Sequence, residues 1–168
     1  PRNVIAGFYW KPPFKPAREE AFLSASLLEK MGDQKYPGDL TPSTNWPNVA
    51  PGKFGPINAT APSNFDTSGI AEMEKKVPIL WVRGDADQIV SDNSMFDLGA
   101  LGKLGFVPGW PGDDVYPPQP MVSQMHYVLE QYKANGGSYA EYVIADAGHG
   151  CHIEKPEEFL AVLLKHIE

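Results

Sequence analysis

The 168-residue chain carries 14 Lys and Arg against 21 Asp and Glu, a formal net charge of −7, with 42% hydrophobic and 21% charged residues. Such a composition belongs to a globular chain long enough for one domain with a core, and the acidic balance argues against a nucleic-acid partner. The longest uninterrupted apolar runs, 77–82 and 159–164, cover six residues each; a membrane-spanning helix needs about 20, so no membrane partner is expected.

The composition changes near residue 76. Residues 1–76 are rich in proline and aromatics, with one clear helix signal over 17–31. Pro16 precedes it, Glu19 and Glu20 fill its first turn, Gly32 follows its end, and Phe22, Leu23, Leu27, Leu28 and Met31 recur at helical spacing. Residues 33–68 read as irregular, broken by prolines and glycines such as Pro37, Gly38, Pro51, Gly52 and Pro62. A loop of that length inside a domain is a lid, a binding loop or a linker. Asn58-Ala-Thr60 within it matches the N-glycosylation acceptor pattern, which arises often by chance.

Residues 77–168 alternate strand and helix signals. The run Val77 to Arg83, stopped by Gly84, predicts a strand buried on both faces of a parallel sheet. A helix is expected over 120–133, a second strand over 139–145, and a final helix over 155–167. That last helix has Pro156 at its start and an apolar stripe of Phe159, Leu160, Leu163, Leu164 and Ile167 to lay on the sheet. Strand, helix, strand, helix predicts an α/β fold with parallel neighbouring strands, in which chemistry gathers at the carboxyl ends of the strands.

Two loops follow those ends. One is Gly84-Asp-Ala-Asp-Gln-Ile-Val-Ser-Asp92; the other is Asp146-Ala-Gly-His-Gly-Cys-His152. A carboxylate from the first can reach the Nδ1–H of a histidine from the second, fix its tautomer and stabilise the imidazolium, as in a nucleophile–His–acid triad. The bland alternatives are aspartates that close turns, with Asp92 as a helix N-cap, and a histidine that merely occupies a Gly-rich turn. No metal is expected. Counting from Asp85, Val90 stands where a calcium loop needs glycine and Phe96 where it needs Glu, and His149, Cys151 and His152 have no zinc-type spacing. Cys151, the single cysteine, cannot form an internal disulfide and reads as a small buried hydrophobe. There is neither a Gly-x-Gly-x-x-Gly nor a phosphate loop, so no cofactor is expected.

Residues 76–168 resemble the α/β-hydrolase superfamily. Val-Pro-Ile-Leu-Trp-Val-Arg-Gly-Asp-Ala-Asp is similar to the family's buried strand leading to its catalytic acid, which falls on Asp87. Ala-Gly-His-Gly-Cys-His-Ile-Glu-Lys-Pro-Glu-Glu-Phe is similar to its terminal signature, which puts the catalytic histidine on His149. Asp85, Asp92 and His152 match no motif position and are expected to be supporting or structural. By this resemblance, 1–76 takes the place of a lid or cap and 77–168 is the C-terminal part of the hydrolase core. Phe8, Tyr9, Trp10 and Trp46 would form an apolar wall over the substrate, together with Phe14 and Phe54. Most such aromatics are expected simply to pack the lid on the body.

The family's nucleophile elbow, Gly-x-Ser-x-Gly, does not occur; Gly136-Gly-Ser-Tyr-Ala140 fails at its last position and follows the acid. The chain begins at Pro1 without a charged-then-apolar leader, and the expectation is a soluble segment of a longer or processed enzyme, the cytoplasm favoured. Its partners would be a small-molecule substrate and the N-terminal part that carries the nucleophile. The implied activity is hydrolysis of small organic esters or related acyl compounds. Alternatives on the same fold are an epoxide hydrolase or dehalogenase with an Asp nucleophile, or a carbon–carbon bond hydrolase. A non-catalytic ligand-binding fragment is the alternative outside enzymes.

Overall fold

The computed structural model describes residues 2–168. A short helix α1 (Arg2–Val4) runs into a π-helical turn, Ile5–Tyr9, and the chain then extends through Trp10. Helix α2 (Glu19–Leu28) is shorter than the 17–31 expected. Its inner face ends early. Leu23 is buried, but Leu27 and Leu28 are 70% and 81% exposed, so nothing rewards continuing the helix, and Glu29 turns extended.

The segment expected to be irregular has order of its own. Strands β1 (Leu40–Pro42) and β2 (Val49–Pro51) form an antiparallel pair with Leu40 opposite Pro51. Helix α3 (Pro56–Ala59) and a 3-10 turn, Ser68–Glu72, follow. The organiser is polar rather than apolar. Buried Asn58 donates through Nδ2 to the carbonyls of Asp39 (2.6 Å) and Phe54 (2.7 Å), and Asn64 Nδ2 donates to the carbonyls of Gly52 (2.8 Å) and Asn58 (2.9 Å). With its Nδ2 so engaged, Asn58 is no acceptor for a glycan in the folded chain.

Strand β3 (Ile79–Gly84) begins two residues later than expected. Val77 N–H and C=O are both taken by the hydroxyl of Tyr132, at 2.7 and 2.6 Å, and Pro78 has no N–H to give a ladder. Helix α4 (Leu98–Lys103) is new relative to the sequence reading; Asp97 caps it by accepting from Ala100 N at 2.7 Å. Helix α5 (Met121–Ala134), strand β4 (Tyr139–Ile144), helix α6 (Cys151–Glu154) and helix α7 (Pro156–Ile167) complete the chain.

β3 and β4 pair in parallel, from Ile79 opposite Tyr139 to Gly84 opposite Ile144. Side chains alternate across the pair. On one face Trp81 meets His126 of α5 edge-on at 5.0 Å, and Arg83 is hydrogen-bonded to Glu141 at 2.7 Å. On the other, Val82 and Ile144 pack with Ala147, Cys151 and Phe159 of α7. The coarse class is therefore α/β, with helices on both faces of a two-stranded parallel sheet.

Burial on both faces does not hold for β3. Ile79 to Arg83 are only half-buried, and the sheet has two strands among the described residues. Nor does α7 seat its whole stripe. Leu160, Leu164 and Ile167 stay exposed, and beyond Phe159 a cavity of about 250 Å³ is lined by Leu80, Ala140 and Tyr142 of the sheet and Val162 of the helix. Among the described residues no helix is long and apolar enough to cross a membrane.

Candidate functional site

The loops after β3 and β4 touch along their first residues. Asp85 N donates to the carbonyl of Ile144 (3.1 Å) and Ala86 N to that of Ala147 (2.9 Å). Gly84 permits this approach: a Cβ there would lie 2.2 Å from the carbonyl oxygen of Ala147. Asp87 follows in a tight turn, its Oδ1 accepting from Ile89 N (2.7 Å) and Val90 N (3.0 Å). These two bonds orient the carboxylate and leave Oδ2 facing His149 Nδ1 at 3.0 Å.

The side chain of Asp87 is 9% exposed and that of His149 37%. Burial pushes the Asp87 carboxyl up, but the hydrogen bond from His149 and those from the Val90 and Ile89 amides outweigh it and hold the group below the usual carboxylate range. The same bond to Asp87 raises His149 above an ordinary imidazole, against the opposing pull of burial. An ionised carboxylate accepts only, so Nδ1 of His149 carries the proton and Nε2 of the neutral ring is left as the basic atom.

A cavity of about 410 Å³ opens beside the imidazole; Tyr9, Trp10, Phe22, His149, His152 and Ile153 are among its walls. Tyr9 meets His149 edge-on at 5.7 Å, and Trp10 meets Phe22 at 5.8 Å. Residues 7–10 lie across both loops: Gln88 Nε2 donates to the carbonyl of Gly7 (3.1 Å) and Gly150 N to that of Tyr9 (2.9 Å).

Of the expected wall, Tyr9 and Trp10 therefore stand at the cavity. Phe8 turns away to Phe96, 5.5 Å distant. Trp46 is elsewhere, edge-on to Tyr116 at 4.8 Å with Nε1 donating to the carbonyl of Pro108. Asp85 is exposed and joins neither Asp87 nor His149. Asp92 is not an N-cap of its own helix; it accepts from the amide (2.9 Å) and hydroxyl (2.5 Å) of Ser123 in the first turn of α5. Cys151 is buried in the core, and burial pushes its thiol up, away from nucleophile character. Among the described residues no three His, Cys, Asp or Glu side chains converge as metal ligands would.

Phe22, Ile153, Gln88 and Glu154 also shape the site, although the sequence assigns none of them a role there. Phe22 had a signal, its place on the apolar face of a helix, but not one that says which partner it meets. No family model, no curated protein and no solved structure matches this chain.

Proposed function

We propose that the chain supplies the acid and the base of a hydrolase of the α/β-hydrolase type, acting on small organic esters or related acyl compounds. The observation that carries this is the 3.0 Å contact between Asp87 Oδ2 and His149 Nδ1 at the adjoining carboxyl ends of two parallel strands. A carboxylate on Nδ1 leaves Nε2 to take a proton from a nucleophile and return it to the leaving group, while Asp87 stabilises the imidazolium between the two steps. The resemblance of both loop sequences to the family's acid and histidine motifs supports the same assignment. The largely apolar cavity at His149 suits the uncharged acyl or aryl part of such a substrate.

The nucleophile, in this proposal, comes from a segment outside these 168 residues, which contain no Gly-x-Ser-x-Gly. The half-buried β3 and the outer edges of the β3–β4 pair, which have no strand partner among the described residues, are where further strands of a larger sheet would join. Residues 1–76 act as the cap and 77–168 as the C-terminal part of the core.

The test is His149→Ala in the full-length protein, assayed on 4-nitrophenyl butyrate. Loss of turnover by about 10²–10⁴-fold is expected for removal of the general base; retained turnover overturns the assignment.

A further inference from the structure

Besides Asp87, buried acidic residues occur at Asp97 and Glu154. Asp97 is explained by its helix cap, accepting from Ala100 N and Gln119 N. Glu154 caps no helix start. Its Oε1 accepts from Gly148 N at 2.6 Å and its Oε2 from Lys11 N at 2.9 Å. One carboxylate thus joins the residue preceding His149 to the residue following Trp10.

The contact is close on every side. A Cβ on Gly148 would lie 2.9 Å from Lys11 N and 2.9 Å from the carbonyl carbon of Trp10. Lys11 Nζ is also paired with Asp146, at the start of the His149 loop. A buried carboxylate is stabilised only by donors that stay in place, so both backbone segments are held against each other as long as it is ionised.

We propose that Glu154 is a positioning residue for His149: by clamping Gly148 and Lys11 it fixes the histidine turn and the cavity wall of Tyr9 and Trp10 as one unit facing Asp87. This rests on the reading of Asp87 and His149 as the reacting pair. The amide in Glu154→Gln keeps the shape but presents one acceptor and one donor to two N–H groups, so one of them loses its partner. Glu154→Asp keeps the charge but is one methylene shorter and reaches one segment only.

Three measurements on the full-length protein test this. In the unmodified protein the Gly148 and Lys11 amides should be protected from hydrogen exchange beyond the surrounding loop; exchange at exposed-loop rates overturns the clamp. In Glu154→Gln one of the two should exchange about tenfold faster or more. The His149 ring, followed by NMR, should then titrate closer to an ordinary imidazole, and turnover should fall roughly 10–100-fold. Tyr132→Phe, at the opposite end of the strands, should leave the His149 titration alone. A folded Glu154→Gln protein whose His149 titrates as before overturns the proposal. If that variant does not fold, Glu154→Asp is read the same way, and if neither folds the amide protection decides. Failure of the catalytic reading looks different: His149→Ala would keep its turnover while Glu154→Gln still moved the His149 titration.

Discussion

Gly150 and Trp10 leave no room for a methyl group between them: a Cβ on Gly150 would lie 2.1 Å from Cζ3 of the indole. The backbone of Gly150 is at φ −90, which any residue adopts, so the demand for glycine comes from the neighbour alone. Gly150→Ala should cost about 1–3 kcal/mol, the range for overfilling a packed site. Trp10→Ala in the same chain should remove most of that extra cost. Denaturant unfolding of the two single variants and the double variant measures the coupling, and purely additive effects would show that the two do not press on each other.

The Asp87–His149 pair sets a pH window for stability. His149 is raised above its ordinary value by its hydrogen bond to Asp87. Its contribution is therefore complete below the unfolded imidazole value of about 6.5 and is lost as pH rises through the folded value. For Asp87, burial raises the carboxyl but the bonds from His149 and from the amides of Val90 and Ile89 lower it further. Its contribution is complete above the unfolded value of about 3.9 and is lost as pH falls through the folded one. The pair should stabilise most between those two limits. Asp87→Asn should lower the His149 titration and flatten the alkaline side of the stability profile; an unmoved titration would mean that the contact is not made in solution.

Local signals were enough to read β3, β4, α5 and α7 to within two residues, because each pairs a periodic apolar pattern with proline, glycine or charge at its ends. The loops bearing Asp87 and His149 followed from parallel topology. The hairpin and α3 were not legible, because Asn58 and Asn64 hold them by hydrogen bonds to distant carbonyls, and single polar residues carry no periodicity. Glu154 stands within the terminal signature that puts the catalytic histidine on His149, but what it holds was hidden: only the fold brings Lys11 N to it.

Tyr132 is 1% exposed, and its hydroxyl both accepts from Val77 N and donates to Val77 C=O. Tyr132→Phe leaves two backbone groups without that partner and should cost about 1–3 kcal/mol. Thermal or denaturant unfolding reads this directly. A loss below about 0.5 kcal/mol, the scale of an ordinary surface change, would show that water replaces the hydroxyl at the start of β3.

The family resemblance implies one apolar wall holding both Trp10 and Trp46, and the structure separates them. Trp10 is 5% exposed and forms part of the cavity beside His149. Trp46 instead meets Tyr116 and the carbonyl of Pro108, and so ties the turn between β1 and β2 to the 105–120 stretch between α4 and α5. Trp10→Ala removes apolar surface where the acyl group would sit, so KM for 4-nitrophenyl butyrate should rise roughly tenfold or more, at about 25 cal/mol per Å² of lost contact. Trp46→Ala should leave KM near its starting value while exposing the 105–120 stretch to limited proteolysis, since it loses an aromatic contact and a hydrogen-bond donor. Comparable rises of KM in both variants would mean that the 105–120 stretch folds over the cavity when substrate binds, and that Trp46 reaches the site by moving with it.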